Sequence, residues 1–405
     1  MIEGATTHDA ADRAAPGGRR PRIALAHDWL CGYRGGEAVV ERLALLIESM
    51  GNPAWLYVMF DDGGRLSPPI DRWRERGLVR PSWLDLVPLG SGALRRWLLP
   101  FYPSAVESLS RRLLADHAKE PIDLLISSSS AAIKGLRPPP GVPHLCYCHS
   151  PARYVWSRRD DYGGRGLTGR LRALGLRAYG GRFKRWDRDT ASTVNRFVAN
   201  SSHTASQIRE CFGVEASVVH PPVRTAYFKP DSSVPREDFW LVVSALEPYK
   251  RVDLAIDAAR AAGARLVIAG DGSQRAILER HAGPTIEFRG RIPDAELRDL
   301  YRRASVLLFP QVEDFGIVAA EALACGLPIA ARAQGGAFDI VQDGITGALF
   351  TDPTPTALTD AARRAAPLAG DPCRTAATRF SESAFDESME REIRSILRPT
   401  PASAR

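Results

Sequence analysis

Two glutamates, Glu313 and Glu321, stand eight positions apart in EDFGIVAAE, with an acid, an aromatic residue, a glycine and small apolar residues between them. A helix that begins near Asp314–Gly316 and stops at Gly326 leaves Glu313 in a loop and carries Glu321 on its second turn. The N–H groups at 315–317, unpaired at such a helix start, can meet an anion or a hydroxyl. Carboxylates accept hydrogen bonds from hydroxyls, so loop acid, helix start and helix acid can share one ligand. The plain alternative is an acid that favours the helix dipole plus a solvated glutamate.

Other residues point to phosphate. Lys250 and Arg251 follow the apolar run WLVVSA, and a cation at a strand end can neutralise a pyrophosphate leaving group. Gly35 and Gly36 lie between a strand and a helix, where glycine lets the backbone approach phosphate closely. His149 ends a strand just before Ser150 and Pro151; a lone histidine there is more often structural than catalytic. His27 and Asp28 end the first strand. Cys146 and Cys148 share one strand face and fit a core, and no second pair completes four metal ligands. Gly270-Asp-Gly272 lacks the third glycine of a dinucleotide fingerprint. Residues 165–188 hold eight basic side chains interleaved with aromatic and aliphatic ones, which suits an anionic lipid surface or a solvated helix face.

These residues need elements to hold them. WLVVSA (240–245), RLVIAG (265–270), TIEFRG (285–290), SVLLFP (305–310) and LPIAAR (327–332) read as strands, separated by helical segments at 251–262, 274–282, 294–303 and 316–325. Such alternation predicts βαβ units on a parallel sheet. The first half repeats it with strands RIALAHD (22–28), DLLISSS (123–129), HLCYCH (144–149) and RFVANSS (196–202), and helices at 36–50 and 203–211. Polar or glycine-rich residues follow the strand ends in both halves, where open parallel sheets bind ligands. The expected division is a disordered leader 1–21, a domain 22–222, a linker 223–238, a second domain 239–395 and a disordered tail 396–405.

Composition sets wider bounds. The chain has 405 residues, 44% hydrophobic and 25% charged, enough for two cores. Its formal charge of +7 fits an anionic ligand, a membrane surface or nucleic acid without choosing among them. Six scattered cysteines do not make a disulfide framework, so a reduced cytoplasmic setting is expected. Neither a signal peptide nor a membrane-spanning apolar run is visible.

The set of motifs, in order, resembles the family 4 glycosyltransferases. EDFGIVAAEALACGLPIAA is similar to their paired-glutamate signature, and GGE, YCHSPARYVW, ANSSHTASQI, VVHPPV, SALEPYKRVDLAI, AGDG and ARAQGGAFDIV follow in the family's sequence order. LLPFYPSAVESL with YCHSPARYVW further resembles the bacterial branch that adds mannose-like sugars to surface polysaccharides. The resemblance implies an α/β GT-B fold, two Rossmann-like domains facing each other across a cleft. It implies a retaining sugar transfer from a nucleotide diphosphate donor, here GDP-mannose, to a lipid-linked or polysaccharide acceptor at the inner face of the cytoplasmic membrane.

By the same resemblance, Glu313 meets the donor sugar and Glu321 the ribose, while Phe315, Gly316 and Ile317 offer N–H groups toward sugar and phosphate. Gly35, Gly36, Lys250 and Arg291 join the donor set, and His149, Lys250, Arg251 and Glu313 form the catalytic set. Asp28 and Arg153 are placed toward the acceptor. No metal or cofactor is implied, and no nucleic-acid partner. The family commonly carries an arginine where this chain has Ala245; Lys250 and Arg251 then suffice, or Arg332 or Arg153 substitutes. Two other readings compete: a glycoside hydrolase using Glu313 with Asp314 or Glu321, and a nucleotide-binding module without turnover.

Overall fold

The computed structural model describes residues 19–398 apart from 34, 89, 93, 96 and 157–165, with the side chains of 166–178 also outside the described set. Most of the expected leader and tail therefore lies outside the described residues.

Two parallel sheets make the frame. The first runs in the order β3-β2-β1-β4-β5-β6-β7. Its strands are β1 (Arg22–Leu30), β2 (Asn52–Asp61), β3 (Val79–Pro81), β4 (Leu124–Ser129), β5 (His144–Cys148), β6 (Arg196–Ala199) and β7 (Ala216–Val218). Helices α1 (Gly35–Met50), α2 (Pro68–Glu75), α3 (Tyr102–Lys119), α4 (Gly166–Ala191) and α5 (Ser202–Phe212) connect them. The second sheet runs β10-β9-β8-β11-β12-β13. It comprises β8 (Trp240–Val243), β9 (Leu266–Ala269), β10 (Ile286–Gly290), β11 (Val306–Phe309), β12 (Ile329–Arg332) and β13 (Gly347–Phe350). Helices α6 (Val252–Ala262), α7 (Arg275–His281), α8 (Asp294–Arg303), α9 (Ile317–Ala324), α10 (Ala337–Ile340) and α11 (Pro355–Ala365) follow, then α12 (Asp371–Ala377) and α13 (Glu382–Leu397).

Every pairing between named strands is parallel. Most central strands are buried along their whole length, β4 and β5 included, because helices cover both faces. In each sheet the strand order reverses beside the first strand, β1 or β8, and the crevice at that reversal opens at the strands' carboxyl ends.

The elements read in 240–332 are all present, most with their ends trimmed. Two boundaries in the first half move by more than one residue. β1 runs on to Leu30, past Asp28, and β6 stops at Ala199, because the Ser201 hydroxyl accepts the Thr204 N–H and caps α5.

The domain division needs two corrections. The expected linker 223–238 is in part core: Val223 and Phe228 are buried among residues of the second domain. The expected end of the second domain, and the expected tail from 396, are overtaken by α13, which crosses back to the first domain. Phe385, Met389 and Ile393 pack with Ile23, Leu25, Ile126 and Tyr147. Arg42 pairs with Asp386, and Arg196 Nη1 lies 2.8 Å from Glu392. The cause is the apolar stripe of α13, which finds the uncovered face beside α1.

The basic segment 165–188 is only partly described. In its described part, Arg182, Arg185 and Arg188 are exposed on α4, whereas Phe183 and Asp187 are buried. Asp187 receives Lys134 Nζ at 2.9 Å and Trp156 Nε1 at 2.7 Å, which ties α4 to the domain. Among the described residues no helix is long and apolar enough to cross a membrane.

Candidate functional site

The two strand-end crevices face each other, and one cleft takes residues from both. His27, Gly35, Gly36, His149 and Arg153 line it from the first domain; Ala245, Lys250, Glu313 and Phe315–Val318 line it from the second. The N-terminus of α1 and that of α9 meet there. An added Cβ at Gly35 would lie 2.9 Å from Ile317 Cδ1, so only glycine permits this approach without a shift. Two helix starts converging on one point favour a negatively charged ligand. Among the described residues, the backbone N–H groups of Phe315, Gly316 and Ile317 have no acceptor in the chain.

The loop before α9 is held from below. Gly316 has φ 108°, and an added Cβ would stand 2.8 Å from Phe309 Cζ. Gly335 and Gly336 lie directly under Glu313 and Phe315: their added Cβ atoms would fall 2.4 Å from the Glu313 carbonyl and 2.3 Å from the Phe315 carbonyl. The Gly336 N–H also donates to the Glu313 carbonyl at 2.8 Å. The pair in AQGG thus serves as a floor for the loop, a role the motif's order alone did not reveal.

Lys250 and Glu313 form an ion pair at the cleft wall. Glu321 sits one turn along α9 in an adjoining cavity with Arg224, Tyr33 and Gly35. Gly35 and Ile317 belong to both cavities, so the two glutamates flank one constriction. Burial pushes the Glu321 carboxyl up to about 7, against the opposing pull of Arg224 and of the Tyr301 hydroxyl, whose oxygen lies 3.3 Å away. Arg224, from the expected linker, is a residue that sequence reasoning missed; it pairs with Asp294 at 2.8 Å.

This raised value has a sign. The folded chain holds the Glu321 proton more tightly than the unfolded chain does. As pH rises from about 4.5 to about 7, the unfolded carboxyl ionises first and stability falls; above that window the loss is complete. Thermal melts of the ligand-free protein between pH 5 and pH 8 are expected to show this fall, and Glu321→Gln is expected to flatten it. Identical pH profiles for the two proteins would rule the assignment out.

The histidines are fixed on one strand end. His27 Nδ1 donates to the Ser128 carbonyl at 2.9 Å, and His149 Nε2 lies 2.7 Å from Ser128 Oγ. Burial, with His27 and Arg153 nearby, pushes His149 down to about 3, so its ring is neutral at the cleft wall. A neutral imidazole can orient a hydroxyl without adding charge. Asn200, which also lines the cleft, donates to the His149 carbonyl at 3.0 Å.

Three residues expected at the site, Asp28, Arg251 and Arg291, line neither cavity. Asp28 is fully buried, and its two oxygens accept the N–H groups of Ser130, Ala131, Ala132 and Ile133 at 2.5–2.9 Å. It anchors the loop after β4 and lines neither cavity. Arg251 caps α6 with φ 52° and pairs with Asp253 at 3.2 Å, outside the cleft lining. Arg291 is exposed after β10 and lines neither cavity. Arg332, named as a substitute cation, is likewise absent from both linings. Cys146 and Cys148 are core residues, packed with Phe197, Ala199 and Ile208. Among the described residues no group of three or more His, Cys, Asp or Glu side chains could hold a metal ion.

The domains touch beside the cleft. Ser201 Oγ donates to the Asp314 carbonyl at 2.5 Å, the Ser202 N–H donates to Asp339 at 2.7 Å, and His220 Nε2 lies 3.4 Å from Asp339. Arg153 reaches across to the Asp314 carboxylate.

Comparison with known proteins agrees with this geometry. Residues 33–227 match the family described as Glycosyltransferase Family 4, and residues 223–374 match Glycosyl transferases group 1. A D-inositol 3-phosphate glycosyltransferase of Thermomonospora curvata is 29% identical over 242 residues, 49% of this chain and 56% of that protein. One of Mycobacterium avium is 30% identical over 240 residues, 52% of this chain and 57% of that protein. The chain spans about half the length of the curated relatives it matches. Among solved structures, Anabaena Alr3699/HepE in complex with UDP and glucose superposes with a TM-score of 0.64 at 16% identity, over 93% of this chain and 100% of that one. Sucrose-phosphate synthase from Thermosynechococcus elongatus superposes with a TM-score of 0.67 at 19% identity, over 93% of this chain and 99% of that one. These likenesses establish the GT-B fold.

Proposed function

We propose that this chain, which belongs to the family 4 glycosyltransferases, moves a mannose-like sugar from GDP-mannose to a lipid-linked or polysaccharide acceptor, with retention at the anomeric carbon. The observation that carries the reading is the facing pair of helix starts, Gly35 and Ile317, with the Lys250–Glu313 pair beside them and His149 opposite. A diphosphate fits at the two helix starts. Glu313 accepts from the sugar hydroxyls and Glu321 from the ribose, on the two sides of the Gly35–Ile317 constriction.

In the reaction the acceptor oxygen attacks the anomeric carbon from the face the leaving group departs. The bond from that carbon to the phosphate oxygen breaks through an oxocarbenium-like state, and the acceptor proton passes to the departing phosphate. Lys250 and the N–H groups of 315–317 stabilise the charge that builds there. No protein nucleophile is required. A hydrolase reading is weaker, because Glu313 is already paired with a lysine and a plain glycoside brings no anion to two helix starts.

The lipid-linked acceptor has its own support. Leu94, Trp97 and Phe101 are exposed on the segment whose Arg95, Leu99 and Tyr102 line the cleft. An apolar chain can lie on that outer side while its polar head enters. Such an acceptor would bring the enzyme to the cytoplasmic face of the membrane, with the exposed arginines of α4 as further contacts to anionic lipid.

Melting the protein with GDP, UDP, GDP-mannose and UDP-glucose tests the donor. A ligand at 100 times its Kd adds about 2.7 kcal/mol. Stabilisation by the guanine ligands, lost in Glu321→Ala, is expected. Stabilisation by the uridine ligands alone would keep the reaction and discard GDP-mannose; no shift with any ligand would favour a module without turnover.

A further inference from the structure

The second domain supplies few positive charges to the place where a diphosphate must sit. Ala245, two residues past the end of β8, lines the cleft with a methyl group, and Arg251 is turned outward onto Asp253. Lys250 remains, and its charge is shared with Glu313. Two phosphates leaving as an anion need more than that. The first domain holds a cation in the right place. Arg153 lines the same cleft, its Nε donates to Ser150 Oγ at 3.1 Å, and its guanidinium pairs with the carboxylate of Asp314. Asp314 immediately precedes the N–H groups of 315–317, and Arg153 lines the same cleft as those residues. A guanidinium carries five N–H donors in a planar fork, so it can hold a carboxylate and meet a phosphate together.

We propose that Arg153 is a catalytic residue: the second cation on the donor diphosphate, delivered from the acceptor-side domain across the cleft. The inference rests on the donor reading above. Its consequence is that both cations reach the leaving group only while the two domains are together. Arg153 reaches Asp314 beside the interdomain contacts of Ser201 and Ser202. A donor bound to the second domain alone then keeps a weakly stabilised leaving group, which limits loss of the sugar to water.

The test is calorimetric titration of GDP, GMP, UDP and UMP into the wild type, Arg153→Ala, Arg153→Lys and the double variant Arg153→Ala with Ala245→Arg. Thermal melts confirm that each variant folds. Arg153→Ala is expected to weaken the diphosphate that the wild type prefers by about tenfold or more, and the matching monophosphate by less than about twofold. Arg153→Lys is expected to retain part of the affinity, because a point charge replaces a fork. Ala245→Arg is expected to restore diphosphate binding in the Arg153→Ala background, because it returns a cation to the same cleft from the opposite wall. If Arg153 serves only to latch the domains, mono- and diphosphate weaken alike and Ala245→Arg recovers nothing. Unchanged diphosphate affinity in Arg153→Ala overturns this inference alone. Failure of the wild type to bind either diphosphate overturns the donor reading and this inference with it.

Discussion

Lys250→Ala is expected to lower kcat for sugar transfer by about 10²–10³-fold, with a smaller change in KM. The effect has two parts. A preorganised cation is lost at the point where the leaving diphosphate gains charge, in a cleft where Lys250 is only 16% exposed. Glu313 also loses its partner and becomes a bare carboxylate beside an anionic donor, which adds repulsion at about the same place. Lys250→Arg keeps the charge and is expected to retain part of the rate. Release of nucleoside diphosphate from the donor, followed at saturating donor, reads the effect. A rate within about threefold of wild type for Lys250→Ala would remove this residue from transition-state stabilisation.

Asp28→Asn is expected to destabilise the first domain by about 3 kcal/mol or more. The carboxylate accepts four backbone N–H groups, from Ser130 to Ile133, and is buried completely. An amide keeps one accepting oxygen and turns an NH₂ toward the donors that the second oxygen served. Those N–H groups then lose their acceptors inside the core. Urea unfolding of the wild type and the variant measures the difference directly, and equal midpoints with equal slopes would refute the anchoring role. Because the loop after β4 borders the cleft through Ser130 and Ala131, the variant is also expected to lose activity as it loosens.

Asp28 shows where a sequence stops being legible. A polar residue at a strand end is equally suited to a ligand and to the next loop's amides, and only the path of residues 130–133 decides. Arg251 is a similar case. Its neighbour Lys250 turns into the cleft, while the left-handed backbone of Arg251 sends the side chain outward. Glu313, Glu321 and the glycine at 316 were legible because strand, loop and helix are contiguous there. Their placement depends on local order along one segment. Arg224 was not legible, since its place beside Glu321 depends on how the chain returns between two domains.

Strands were readable where turn residues bracketed a short apolar run, as in β8 to β12 of the second sheet, though β13 was not read. β2 is bracketed by GNP (51–53) and DDGG (61–64), but its run AWLYVMF is apolar without alternation, a pattern that periodicity does not separate from a buried helix segment. β3 and β7 are three-residue edge strands with too little pattern to detect. α13 carries a clear apolar stripe, but nothing in its own residues says which domain that stripe covers.

That return of α13 bears on how the protein is made. The surface that α13 covers on the first domain is exposed from the time β1, α1 and β5 emerge from the ribosome. The helix that closes it is synthesised only after the whole second domain. At roughly 5–20 residues per second, the wait is on the order of ten seconds or more. Throughout that interval the nascent first domain presents an open apolar groove beside Tyr147, which only α13, encoded beyond the second domain, closes.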